Sequence, residues 1–258
     1  MPTALITGGT SGIGLSFAQH MAREGFDLVL VARTRSRLDA VAADLRRETG
    51  VAVETIRADL SKTRDCHLVE RRLADPDAPV DLLVNNAGFG LYAGDFVDHE
   101  LADEDRLIMV NVRAVMRLTH TALGPMLARS KGEIINVSSV ASFAPDPLAP
   151  TYAASKAWVT SFTEGLREQL SGTGVRLMAL TPGLVPTEFQ ERAGVDAHAP
   201  AAFWLDADDV VEAAMKDLRA GHGISLPGAA YRALALAMRH TPRRVFLPLS
   251  ERLQRRWT

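Results

Sequence analysis

Tyr152-Ala153-Ala154-Ser155-Lys156 sets a phenol and an amine four residues apart. On a helix that spacing brings both to one face. Such a pair often arises by chance, so its meaning depends on its company. Ser139 lies upstream, at the end of a short apolar run that reads as a strand, and Asn111 lies inside the long helical pattern before it. A free phenol titrates near pH ~10, too high for efficient proton exchange near neutrality. A cation at Lys156 would lower that value by favouring phenolate. The Ser139 hydroxyl can donate to an oxygen that gains charge during a reaction. The set suits protonation of an alkoxide, which is what hydride addition to a ketone leaves behind. Asparagine is unfavourable inside a helix, so Asn111 reads as placed for a purpose. Ser138 competes with Ser139, but strand alternation sends the two side chains to opposite faces and only one can meet a substrate.

A second constellation opens the chain. Thr7-Gly8-Gly9-Thr10-Ser11-Gly12-Ile13-Gly14 follows an apolar run and begins a helical pattern. Glycines there permit a tight turn, close approach of a pyrophosphate to the backbone, and close helix–strand packing. The helix start adds free N–H groups and partial positive charge. The next apolar run ends in Val31-Ala32-Arg33-Thr34-Arg35. An acid at that place would bond the ribose hydroxyls of NAD, whereas arginine accommodates the 2′-phosphate of NADP. Arg33 therefore predicts NADP, with NAD the lesser alternative. Arg33 and Arg35 could also be an ordinary solvated helix start.

The elements that must position these residues alternate. Ala4–Thr7, Asp27–Val31, Val51–Ile56, Leu82–Val84, Ile134–Val137 and Val175–Leu180 read as buried parallel strands. Ile13–Arg23, Ser36–Glu48, Thr63–Leu73, Leu101–Ala128 and Tyr152–Leu170 repeat apolar residues at helical spacing. The predicted fold is α/β: one doubly wound parallel-sheet Rossmann domain over 1–258, with helices on both faces and the ligand crevice at the strands' carboxyl ends.

The glycine spacing, Gly-x-x-x-Gly-x-Gly, resembles the short-chain dehydrogenase/reductase family, and the likeness continues in order from about Thr3 to Thr187. Asp59-Leu60 matches the acidic step beside the adenine, and Asn85-Asn86-Ala87-Gly88 matches the family's motif after the fourth strand. The family's spacing to the tyrosine selects Ser139 over Ser138. The resemblance implies a nicotinamide-dependent oxidoreductase of ketones and alcohols, with Asn111, Ser139, Tyr152 and Lys156 as the catalytic set. It gives Lys156 a bond to the nicotinamide ribose and Asn111 a water that links Lys156 to solvent. It places Thr7, Gly8, Thr10, Ser11, Gly12, Ile13, Gly14, Arg33, Asp59, Leu60, Asn86, Ala87 and Gly88 around the cofactor, joined by Tyr152, Lys156, Pro182, Gly183, Val185 and Thr187. One departure is Ser11, where many NADP-dependent members carry a basic residue. A cofactor-sensing protein without chemistry is the other class of function, but it would be expected to lose the Tyr/Lys pair, which is present here.

Composition narrows the rest. A net charge of −2 and 6% aromatic residues give no reason to expect nucleic acid. Cys66 is the single cysteine and reads as a buried thiol, consistent with a reducing compartment. With no signal-peptide pattern and no long uncharged apolar run, the expected location is the cytoplasm. No metal is expected. Residues 188–205 are expected to form a lid loop whose Phe189, Phe203, Trp204 and Leu205 face an apolar substrate, with Phe143 and Leu148 alongside. Residues 229–258 read as a basic helical extension, with Arg243, Arg244, Arg252, Arg255 and Arg256 among apolar residues. That pattern either packs over the cleft or the dimer interface, with its arginines in solvent, or touches an anionic membrane surface. The resemblance also implies a homo-oligomer paired through Leu101–Ala128 and Tyr152–Leu170.

Overall fold

The strands are almost wholly apolar because both faces of the sheet are covered. In the computed structural model, which describes residues 1–193 and 200–240, seven parallel strands lie in the order β3-β2-β1-β4-β5-β6-β7. They are β1 (Thr3–Thr7), β2 (Asp27–Ala32), β3 (Val53–Arg57), β4 (Leu82–Asn85), β5 (Gly132–Val137), β6 (Val175–Leu180) and β7 (Ile224–Ser225). Side-chain alternation splits each strand between two cores. Ile6, Leu28, Leu30, Val84 and Ile135 face one side with Phe17, Met21, Leu38 and Met215. Leu5, Val29, Val31, Leu83 and Ile134 face the other with Cys66, Val69, Leu118 and Met126. The first layer is built by α1 (Gly12–Arg23), α2 (Arg35–Thr49) and α8 (Ala207–Arg219), the second by α3 (Thr63–Leu73), α5 (Val115–Ala128) and α6 (Pro150–Gln169). The doubly wound parallel sheet expected from sequence is the architecture observed.

Three departures have local causes. Leu101–Ala128 is not one regular helix: α4 (Leu101–Ile108) and α5 are joined by a wide π turn over Met109–Ala114 that contains Asn111. Such turns break the regular ladder and occur mostly at functional sites. The apolar period survives the interruption, so sequence spacing does not reveal it. Second, α6 begins at Pro150, whose missing N–H costs nothing in a first turn. Third, α8 and β7 escaped the pattern reading, although Asp206 caps α8 by accepting hydrogen bonds from the N–H groups of Asp208 (2.8 Å) and Asp209 (3.3 Å).

β1 and β4 are adjacent, and the chain leaves them toward opposite layers. This is the topological switch point where open α/β sheets form their crevice. A buried polar chain fixes the helices around it. Asn85 donates to Thr119 (3.0 Å) and to Asn136 (2.9 Å), and Asn136 donates to Thr163 (3.0 Å). It ties α5 and α6 to the ends of β4 and β5.

Gly14 shows how tightly the crevice floor is built. A Cβ there would lie 2.3 Å from the Gly8 carbonyl oxygen and 2.4 Å from Asn86 Nδ2. Both neighbours are anchored, so Gly14→Ala must push α1 off the turn. We predict a loss of about 1–3 kcal/mol of unfolding free energy, the usual range for overpacking, read by urea denaturation. A variant as stable as the parent would show that the turn has slack.

Candidate active site and nucleotide cleft

The glycine turn is locked from behind by β4. The Thr7 hydroxyl donates to the Val84 carbonyl (3.3 Å) and accepts from the N–H groups of Asn86 and Ala87 (both 3.0 Å). Asn86 Nδ2 donates in return to the carbonyls of Thr7 (3.0 Å) and Gly8 (3.3 Å). Gly8 and Gly12 have φ of +69° and +52°, in the left-handed region where glycine alone is unstrained. Ser11 precedes α1 without capping it through its side chain, so the helix start opens onto the cleft.

That cleft has a volume of about 870 Å³. Of the residues singled out from sequence for the nucleotide, Gly8, Thr10, Ser11, Gly12, Ile13, Arg33, Asp59, Leu60, Asn86, Ala87, Gly88, Pro182, Gly183, Val185 and Thr187 line it. Thr7 and Gly14 stand behind the wall and shape it. Arg33 is exposed at the end of β2 and makes no ion pair among the described residues. Arg35 turns away and pairs with Asp39 at 3.1 Å. Burial raises the Asp59 carboxyl, but the hydrogen bonds from Ser61 and the charges of Lys62 and Arg33 together hold it below the usual range.

At the far end the cleft meets Ser139, Tyr152 and Lys156. Ser139 hydrogen-bonds the Tyr152 side chain. Ser138 turns the other way, donating to the Lys156 carbonyl and sharing a hydrogen bond with Thr160, both at 2.8 Å. It pins α6 to the end of β5. Lys156 Nζ donates to the Val137 carbonyl (2.9 Å) and lies 5.7 Å from the centre of the Tyr152 ring. Tyr92 and Phe189 flank that ring at 5.7 and 5.6 Å. Burial therefore governs both groups. It pushes the Tyr152 phenol up to about 12, opposed by the Ser139 hydrogen bond and aided by Asp146. It pushes the Lys156 amine down to about 8. Of the influences on the phenol, desolvation of the ring is the largest.

Asn111 sits behind this pair and does not bond it. Its amide accepts from the Phe89 N–H (3.2 Å) and donates to the Phe89 carbonyl (2.9 Å) and to Ser155 Oγ (3.2 Å). Gly88 separates it from Lys156: a Cβ there would lie 3.1 Å from Asn111 Oδ1 and 3.3 Å from Lys156 Nζ. The side chain thus holds the loop after β4 against the π turn.

The expected lid loop begins instead as a helix, α7 (Glu188–Ala193). Phe189, Phe203 and Leu148 line the cleft, but Phe143, Trp204 and Leu205 do not. Leu205 packs against the core, and its N–H donates to the Leu184 carbonyl at 2.8 Å. Residues 194–199 lie outside the described residues, as do 241–258 with the tail arginines, so the membrane reading of the tail falls there. No helix among the described residues is long and apolar enough to cross a membrane.

Sequence reasoning missed Tyr231, on α9 (Ala229–His240). Its hydroxyl donates to the Phe203 carbonyl (2.8 Å) and accepts from the Leu184 N–H (2.9 Å). Its ring fills the space a Cβ on Gly183 would need, at 1.9 Å. One tyrosine thus fastens the turn after β6 to the lid. No local sequence signal marks it, because the Pro182-Gly183 turn that it meets lies far off in sequence. Tyr231→Phe should cost about 1 kcal/mol, since the half-buried Leu184 N–H loses its acceptor. Chemical denaturation reads the loss, and an unchanged midpoint would contradict the clamp.

Comparison with known proteins agrees with this geometry. Residues 2–197 match the family model described as short chain dehydrogenase. A short-chain dehydrogenase from Sphingobium yanoikuyae in complex with NADPH is 40% identical, with a TM-score of 0.85 over 92% of each chain. A bulky-bulky ketone specific alcohol dehydrogenase from Comamonas testosteroni is 32% identical, with a TM-score of 0.79 over 95% of this chain and 99% of that one. A very-long-chain 3-oxoacyl-CoA reductase from Anas platyrhynchos is 34% identical over 192 residues, 73% of this chain but 61% of the reductase. The chain belongs to the short-chain dehydrogenase family and is an NAD(P)-dependent oxidoreductase of ketone and alcohol groups.

Proposed function

We propose that the enzyme prefers NADP(H) and interconverts bulky, apolar ketones with their secondary alcohols. The observation that carries this reading is the continuity of one cleft, with Arg33 at one end and Ser139, Tyr152 and Lys156 at the other. Ala32 stands where an NAD-selecting acid would be, and Arg33 can offer a charge-assisted fork to a 2′-phosphate. Phe89, Tyr92, Leu148, Phe189, Phe203 and Leu234 give the substrate end an apolar wall. The NADPH-bound relative and the bulky-ketone relative point the same way.

Bound NADPH supplies the hydride. The chain's own groups manage the oxygen that receives charge. Ser139 donates a hydrogen bond to it, and Tyr152 transfers its phenolic proton to it. Lys156 holds the phenol's side of the cleft positive, with a pKa near 8 that keeps it mainly protonated at neutral pH. Tyr92 and Phe189 exclude water from the Tyr152 ring. Asn111 keeps the Phe89 loop in place beneath the reacting groups.

We also propose a homo-oligomer located in the cytoplasm. Met109, Met116 and Leu127 are exposed on the π turn and α5, and α6 carries a half-buried Trp158–Phe162 stack. Light scattering at micromolar concentration decides it: a monomer alone ends the proposal.

Steady-state turnover of a diaryl or branched ketone with NADPH and with NADH tests the main reading. Tyr152→Phe should lower kcat by about 10²- to 10⁴-fold, the range of a lost proton donor, with cofactor affinity near the parent's. Arg33→Ala should weaken NADPH by roughly 10- to 100-fold, the scale of a charge-assisted contact, and NADH little. Equal use of the two cofactors by the parent, or an active Tyr152→Phe, would overturn it.

A further inference from the structure

Arg37 lines the cleft from the first turn of α2, close in sequence to Arg33 and Thr34. Its Nη1 donates to both oxygens of Glu188, at 2.9 and 2.7 Å. Glu188 is the first residue of α7 and follows Thr187, whose side chain rests on Gly12 of the glycine turn. The pair therefore links the two walls of the cleft, from the end of β2 to the start of the lid helix. It is 151 residues long-range in sequence, and no helical period or strand pattern demands it.

We infer that Arg37 is a second determinant for the 2′-phosphate of the cofactor and that Glu188 is its built-in competitor. The inference rests on the NADP reading above and extends it to residues which that reading does not use. The energetics favour exchange. Both side chains are partly exposed, 48% and 38%, and an ion pair of that kind contributes only about 0–1 kcal/mol. A phosphate near charge −2 pairs more strongly with a guanidinium than a carboxylate does. Arg33 and Thr34 stand on the same wall to complete the phosphate's shell. Glu188 then acts twice against the phosphate: it occupies the arginine, and it places like charge beside the incoming group.

The exchange has a consequence for the catalytic end. Phe189 follows Glu188 and packs on Tyr152 with ring centres 5.6 Å apart. Arrival of the phosphate at Arg37 breaks the ion pair to the first residue of the helix whose second residue covers the proton donor. NAD, without the phosphate, leaves the Arg37–Glu188 pair in place. Discrimination between the two cofactors is thus set by a competition as well as by attraction to Arg33.

A double-mutant cycle on cofactor binding tests this. Dissociation constants of NADP⁺ and NAD⁺ are measured by titration calorimetry for the parent, Glu188→Gln, Arg37→Gln and the double variant. Glu188→Gln should tighten NADP⁺ by roughly two- to fivefold, the reach of an exposed ion pair, and leave NAD⁺ within about twofold. Arg37→Gln should weaken NADP⁺ by about tenfold or more, and Glu188→Gln should then give little further gain. The coupling should shrink in high salt, where exposed charges are screened. If Glu188→Gln weakens both cofactors alike, the pair is a simple strap and the inference falls. No gain for NADP⁺ overturns it as well. Failure of the NADP reading shows elsewhere, as an Arg33→Ala variant that binds both cofactors like the parent.

Discussion

The removal of Tyr152 and Lys156 from water is the constraint that organises this site. Neither group pays its desolvation through a mutual ion pair. Lys156 instead spends a donor on the Val137 carbonyl, and Tyr152 takes a hydrogen bond with Ser139. A buried phenol stays protonated and a buried amine yields its proton more easily. The pair therefore favours the protonated phenol, which holds the proton that a reduction must deliver. Everything that touches the pair maintains the dryness: Tyr92 and Phe189 cover the ring, Ser138 fixes α6 beneath it, and Asn111 holds the loop that brings Tyr92 across.

The same constraint explains the division of labour along the chain. The half that carries the turns at Gly8–Gly14 and Asn86–Gly88 sits at the switch point between β1 and β4, where the backbone itself forms the wall. Gly14 leaves no room for a side chain there, and Gly88 leaves little. The substrate side is built from later elements, chiefly α7, the turn before α8, and α9. Tyr231 joins them to the turn after β6 through one hydroxyl and one ring. Phe203, Tyr231 and Leu234 lie beyond residue 197, where the family match ends, and all three line the cleft.

How much of this was legible in the sequence follows from the kind of signal. Strands covered on both faces must be continuous apolar runs, so the six longer ones were readable, and their alternation with helices gave the doubly wound sheet. The glycine turn and the Tyr-x-x-x-Lys spacing are local, and they fall on the cleft as read. The π turn at Asn111 was hidden because a single wide turn leaves the apolar period intact. The raised phenol of Tyr152 was hidden because its ring is covered by Tyr92 and Phe189, which come from a loop and a helix distant in sequence. Tyr231 and the Arg37–Glu188 pair were invisible for the same reason: each is a contact between residues with no shared period.

The protein has three tyrosines, Tyr92, Tyr152 and Tyr231, and burial raises the phenol of each above its ordinary value. A spectrophotometric titration of the folded protein without cofactor therefore tests the desolvation of Tyr152 directly, with circular dichroism confirming the native state at each step. The account predicts no phenolate absorbance below about pH 10, the value of a free phenol, and the same flat trace for Tyr152→Phe. A phenolate that forms near pH 7 to 8 in the parent and is missing from Tyr152→Phe would mean that Lys156, and not burial, sets the proton donor.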